Sequence, residues 1–141
     1  MIRHICAVTF AVSGMARSIE FHKKLGFELL YGGHEPTFST LKAGEAFVNL
    51  VAQPGYDTRW WGRAIFRVDD ADAHYRALRE LGLELESPRD APWGERFFHV
   101  TDPDGHELSF AELFGWLLLA LADFSAVDHD VVLISDAIDA D

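Results

Sequence analysis

A chain of 141 residues that is 49% hydrophobic, with four Trp and eleven Phe, can bury the core of one domain, or of two small modules sharing a core. A formal net charge of −11 argues against a nucleic-acid partner, which needs a basic face, and the single cysteine, Cys6, excludes an internal disulfide framework and fits a reducing cytoplasm. The longest apolar run, Trp116 to Ala122, is too short to span a bilayer, and no signal peptide is evident before Ser13.

Along the chain, Ile5 to Val12 is rich in small and β-branched residues and predicts a strand. Ser13 is placed to cap the helix that follows, in which Met15, Ile19 and Phe21-His22 recur at helical spacing until Gly26 supplies a left-handed stop. Short strands are expected at Phe27–Tyr31, Thr37–Lys42 and Ala46–Val51, punctuated by Gly32-Gly33 and Ala43-Gly44. After a linker, Gln53–Trp61, the order repeats. A strand at Arg63–Val68 leads to a helix capped by Asp69 or Asp70 and stopped at Gly82. Strands near Leu83–Glu86, Arg96–Thr101 and Glu107–Ala111 follow, the last two joined by the turn Asp102-Pro-Asp-Gly105.

The repetition is one of sequence as well as of element type. Val12–Leu29 lies over Val68–Leu85 without a gap, at an offset of 56 residues (68 − 12), and both copies share a cap, a helical period and a Leu-Gly stop. This is a tandem duplication of one β-α-β-β-β unit. The fold class is therefore α+β, built from two tandem modules at 3–52 and 62–112.

That doubled pattern, together with Ala91-Pro-Trp-Gly94 and Asp102-Pro-Asp-Gly105, resembles the vicinal oxygen chelate superfamily of glyoxalases, extradiol dioxygenases and bleomycin-resistance proteins. The resemblance covers about residues 3–112 of a domain at 1–112, is strongest to the bleomycin-resistance branch, and implies an α+β fold in which the two modules form a cupped mixed sheet around a cleft. In metal-dependent members, a His or Glu from the first and last strand of each module binds a divalent cation. The matching positions here are Ala7, Asn49, Arg63 and Ser109. A methyl group cannot coordinate, a guanidinium repels a cation, and amide and hydroxyl oxygens alone hold a divalent metal poorly. The resemblance thus implies neither metal nor cofactor, and no catalytic residue is assigned. Cys6, next to Ala7, is read as an inert packed thiol, and most of the seven histidines as surface or half-buried.

Strand parity places Thr9, Ala11, Phe47, Asn49, Val51, Arg63, Ile65, Arg67, Glu107, Ser109 and Ala111 on the cleft face, with Trp93, Phe98 and Trp60-Trp61 at its rim. From these, the expected ligand contacts are Phe47, Asn49, Arg63, Arg67, Trp93, Phe98, Glu107 and Ser109. The alternative reading, favoured for these residues, makes Phe47, Ile65 and Phe98 core and Glu107 a structural partner of the arginines. The resemblance implies a homodimer that captures a small, partly aromatic or drug-like molecule in the cytoplasm, with no nucleic-acid or membrane partner. Two other functions stay open: a metal-dependent lyase, isomerase or dioxygenase with atypical ligands, and a protein-interaction module governed by residues 113–141. In that segment an apolar run, 113–122, and the short run Val131–Ile134 are expected to pack on the sheet or on a partner subunit, leaving the Asp-rich end solvated.

Overall fold

The structure is a computed structural model and describes residues 1–114. The expectations for the segment beyond Phe114 lie outside the described residues. The order of elements is β1 (Ala7–Val12), α1 (Met15–Lys24), β2 (Glu28–Tyr31), β3 (Phe38–Ala43), β4 (Ala46–Ala52), β5 (Arg63–Arg67), α2 (Ala71–Glu80), β6 (Arg89–Ala91), β7 (Glu95–Thr101) and β8 (Glu107–Leu113). They build two four-stranded mixed sheets with strand orders β1-β4-β3-β2 and β5-β8-β7-β6. In each, the first strand of the module pairs parallel with the last, and the remaining pairs are antiparallel.

Each sheet has one face covered by its helix and one open, helix-free face; on the first sheet that face is exposed at Thr9, Phe38 and Phe47, whereas on the second Glu95, Phe97, Ser109 and Ala111 of that face are buried. The period-2 alternation of β1 buries Phe10 and Val12 under α1 and turns Thr9 and Ala11 outward. The buried stripe of α1 is Met15, Ser18, Ile19 and His22, at the i, i+3, i+4, i+7 spacing of one helix face. Ala71 and Leu78 anchor α2 in the same way. The two helix-covered faces share one core, in which Phe27 of the first module lies 5.0 Å from Phe66 and 6.5 Å from Phe110 of the second. Each fully buried Phe or Leu there contributes about 1.5–3 kcal/mol of transfer free energy.

Several local expectations need correction. Ser13 does not cap α1: Gly14 holds the N-cap position without a side-chain bond, and the Ser13 hydroxyl contacts Asp104 instead. Asp70 does cap α2, accepting from the Ala73 amide at 2.9 Å. No strand forms at 83–86. The side chains of Leu83 and Leu85 pack on the core, and the partner for β7 is taken from beyond Pro88, at Arg89–Ala91. Hydrophobic alternation there records burial without a ladder. Cys6 is exposed rather than packed, while His22 and His106 are fully buried.

Candidate functional site

The pairing registers arrange the open faces into rungs. On the first sheet, one rung holds Ala7, Phe47, Lys42 and Glu28, the next Thr9, Asn49, Thr40 and Tyr31, and the third Ala11, Val51 and Phe38. The middle rung is hydrogen-bonded across the sheet: Thr40 Oγ1 donates to Asn49 Oδ1 at 2.9 Å, and Asn49 Nδ2 donates to Thr9 Oγ1 at 3.4 Å. Phe38 and Phe47 flank this polar band, each more than a third exposed.

On the second sheet the equivalent rungs are Arg63–Glu107–Thr101, Ile65–Ser109–His99 and Arg67–Ala111–Phe97–Arg89. Glu107 is the centre of its polar contacts. Arg63 Nε lies 2.8 Å from Glu107 Oε1, and both side chains are largely buried. Trp60 Nε1 donates to Glu107 Oε2 at 3.2 Å, and His99 Nδ1 stands 3.6 Å from Oε1. His99 Nδ1 also shares a hydrogen bond with Ser109 Oγ. Beside this cluster, Phe97, Ala91, Ala111 and Ile65 form a small apolar patch. Trp93, in the turn before β7, stacks on Phe97 at 6.4 Å, and the Arg89 guanidinium sits 5.0 Å over the same ring.

The structure therefore brings Arg63, Glu107 and Ser109 together on one open face, with Arg67 exposed at its edge and Trp93 at its rim. Phe47 and Asn49 stand on the other sheet's open face. Phe98 belongs with neither. Its side chain points to the helix side, 2% exposed, packed on Tyr75 and Phe110. The aromatic on the open face is its neighbour Phe97, and strand parity with His99 was the signal that distinguishes the two. Glu95, buried on this same face, carries the same signal. Arg89 and Trp60 sit in short or irregular segments, where parity gives no side.

A divalent cation at Ala7, Asn49, Arg63 and Ser109 does not fit these residues. Asn49 is engaged by Thr40 and Thr9, Ser109 by His99, and the Arg63 guanidinium sits against the Glu107 carboxylate.

Two tandem βαβββ modules, each with a helix-covered and an open face, define an α+β glyoxalase-like fold. The chain belongs to the Glyoxalase/Bleomycin resistance protein/Dioxygenase superfamily, whose family model matches residues 2–110. Among solved structures, a bleomycin resistance determinant encoded on the transposon Tn5 aligns with a TM-score of 0.67 and 22% identity, over 76% of this chain and 95% of that one. A bleomycin-binding protein in complex with bleomycin aligns with a TM-score of 0.67 and 21% identity, over 79% of this chain and 98% of that one. The lactoylglutathione lyase of Agrobacterium tumefaciens aligns with a TM-score of 0.64 and 18% identity, over 80% and 94%. These likenesses establish the fold. Curated protein sequences gave no match. No helix among the described residues is long and apolar enough to cross a membrane.

Proposed function

We propose that this protein binds and sequesters a small, partly aromatic molecule without a metal, in a cleft formed by open sheet faces in a homodimer. The observation that carries the reading is the Arg63–Glu107 ion pair. A fixed cation occupies one metal-ligand position, and it neutralises the Glu107 carboxylate beside it. What the second open face offers a ligand is the exposed ring of Trp93 to stack on, beside the polar groups of Arg63, Glu107 and His99. The drug-bound relative supports the same use of the fold.

Dimerisation follows from area and solvent. The helix-free face of the first sheet exposes the apolar side chains Phe38 and Phe47. Pairing between copies would cover this face and complete the cleft. The test combines elemental analysis of the purified protein, light scattering, and mass spectrometry of any co-purified small molecule. The expected result is a dimer without stoichiometric Zn²⁺, Ni²⁺, Mn²⁺ or Fe²⁺, whose Trp fluorescence is quenched by flat ligands. One tightly bound metal per chain, with a turnover abolished by a chelator, would overturn the reading in favour of a lyase or dioxygenase.

A further inference from the structure

The internal repeat lets the two helix-free faces be compared position by position. Val51 pairs with Ala11 and Ala111 with Arg67, and 67 − 11 = 56, so Val51 and Ala111 are equivalent. In the same way Asn49 matches Ser109, and across the antiparallel pairs Phe38 matches Phe97. Phe38 is 39% exposed and Phe97 9%. Val51 and Asn49 are half-buried, whereas Ala111 and Ser109 are each 2% exposed. Strand order and register are the same in the two sheets, so the sheet itself does not account for the difference.

Side chains of the second face supply part of the cover. Trp93 and Arg89 lie against the Phe97 ring, and the Ser109 hydroxyl shares a hydrogen bond with His99. The burial nevertheless runs on to the last rung, Ala91–Glu95–Leu113, where Ala91 is 8% and Glu95 3% exposed. That rung is the place where the chain leaves the sheet. Together with Ile65, the buried Ala91, Phe97 and Ala111 make one apolar patch on a face that no helix of the described residues covers.

The chain supplies a segment whose chemistry matches this face. Parity with Ala111 puts Leu113 on it, and the Phe114 amide donates to the Gly94 carbonyl at 2.9 Å, which fastens the next residues beside Trp93. Residues 115–122 hold one Trp and four Leu and no charged side chain. Eight residues reach up to about 26 Å, more than the width of about 14 Å across four strands. Charge matches as well. Arg67 and Arg89 stand at the two ends of the third rung, both exposed and neither in an ion pair among the described residues. Beyond residue 122 the chain carries six Asp and no Lys or Arg. An apolar run that ends in acids fits an apolar patch edged by guanidinium groups. After β4, by contrast, the chain enters the polar turn Gln53-Pro54-Gly55, and the first face keeps its exposure.

We infer that residues 115–122 of the same chain cover the second helix-free face, with the acids that follow set against Arg67 and Arg89. Attachment through Phe114 gives the segment an effective concentration in about the millimolar range, which a second copy in dilute solution does not reach. For the small-molecule binding proposed above, on which this consequence rests, the contact is autoinhibitory. One face cannot hold the segment and a ligand together, so a ligand reaches Trp93 and the Arg63–Glu107 pair only as the segment moves aside.

The test uses the full chain and no ligand or metal, so its failure and that of the binding proposal are told apart. A nitroxide is attached at Ser125→Cys in a Cys6→Ser background, Cys6 being exposed, and its broadening of amide signals is read by NMR on ¹⁵N-labelled protein. Ile65, Phe97 and Ala111 should broaden far more than Thr9, Phe38 and Val51, their matched positions on the first face. In an equal mixture of nitroxide-bearing unlabelled chains and nitroxide-free ¹⁵N chains, the ¹⁵N chains should not show this pattern. Leu118→Asp/Leu121→Asp should abolish the difference between the faces, and Arg67→Glu/Arg89→Glu should reduce it, with the signals of the helix-covered core in place. Equal broadening of the two matched sets would overturn the inference, as would a difference that survives in the leucine variant. The same pattern on the nitroxide-free chains would give the face to a second copy and overturn it too. An unchanged difference in the arginine variant would sink the acidic contact.

Discussion

The middle rung of the first open face, Thr9–Asn49–Thr40, is uncharged and satisfied by its own hydrogen bonds. On the second face the neighbouring rungs carry Arg63, Glu107 and His99, tied together around one carboxylate. The backbones are near copies, with the same strand order and the same parallel pairing of first and last strand. Duplication therefore preserved the helix-covered faces, which must stay apolar to fold, and released the open faces to diverge. Specific polar chemistry was free to accumulate where it did not disturb the core. Linked charged side chains are concentrated on the second sheet, and the first carries a neutral hydrogen-bonded band.

The division between faces can be broken most strongly at adjacent positions. Phe98→Ala empties a core site shared with Tyr75 and Phe110, and a loss of about 3–5 kcal/mol is expected in urea unfolding. Phe47→Ala, on an open face and 38% exposed, should cost well under half of that in the isolated subunit. Comparable losses at both sites would mean that the open face of the first sheet is as much core as the other side.

A second substitution turns one rung into the other. Glu107→Ala leaves the Arg63 charge, whose side chain is 11% exposed, without its partner. Discounted for partial exposure, the expected loss is on the order of 2 kcal/mol. Arg63→Ala/Glu107→Phe installs the chemistry of the Ala7–Phe47 rung and should recover more than half of it. If the double variant is no more stable than the single one, the ion pair is not the structural unit that its geometry indicates.

The residues that the sequence made legible are those governed by period and by turn chemistry. Gly26 and Gly82, with φ of 104° and 88°, stop the helices where the Leu-Gly signals stand. The open-face parity of Thr9, Asn49, Arg63, Glu107 and Ser109 follows from alternation alone. Ser13 shows why a local cap signal can fail. Its hydroxyl has a competing acceptor in Asp104, some ninety residues away, and only the packing of the modules brings it there. For Phe98 the core reading holds and the rim reading does not, because its alternation with Phe97 and His99 sends its side chain to the helix side. The burial of His22 and His106 belongs to the module joint, which no local pattern encodes.

The helices invite a pH comparison. His22 on α1 stands where the repeat puts Leu78 on α2 (78 − 22 = 56). Burial lowers the His22 pKa, opposed by the Ser18 backbone bond and by Asp102, and burial lowers His74 as well. Both rings stay neutral in the folded chain, whereas in the unfolded chain they take up protons below about pH 6.5. Their contribution to stability is therefore present above that pH and lost as the pH falls through it. Asp102 acts in the opposite sense. Burial raises its pKa, so its penalty is in place at neutral pH and is relieved as the pH falls through the raised value. The melting temperature should fall between pH 7.5 and 5.5, and His22→Leu should make that fall smaller. An equal fall in the variant would assign the pH dependence elsewhere.

The smallest expected effects separate the two helix starts. Asp70 accepts the Ala73 amide hydrogen in the first turn of α2, and removing that acceptor in Asp70→Ala should cost about 1 kcal/mol. Gly14, at the matching place on α1, makes no side-chain cap bond. Ser13 is exposed, and its hydroxyl serves Asp104 and Arg17. In Ser13→Ala the Ser13 amide still donates to Asp104 Oδ1 at 2.9 Å, and Arg17 Nη2 still lies 3.3 Å from the same oxygen. The Asp104 carboxylate, buried against α1, thus keeps its remaining partners, and a loss of only a few tenths of a kcal/mol is expected. Urea titration of the two variants side by side measures the difference. A Ser13→Ala loss equal to that of Asp70→Ala would mean that the start of α1 depends on this hydroxyl after all, with the second module's turn supplying the cap that its own sequence lacks.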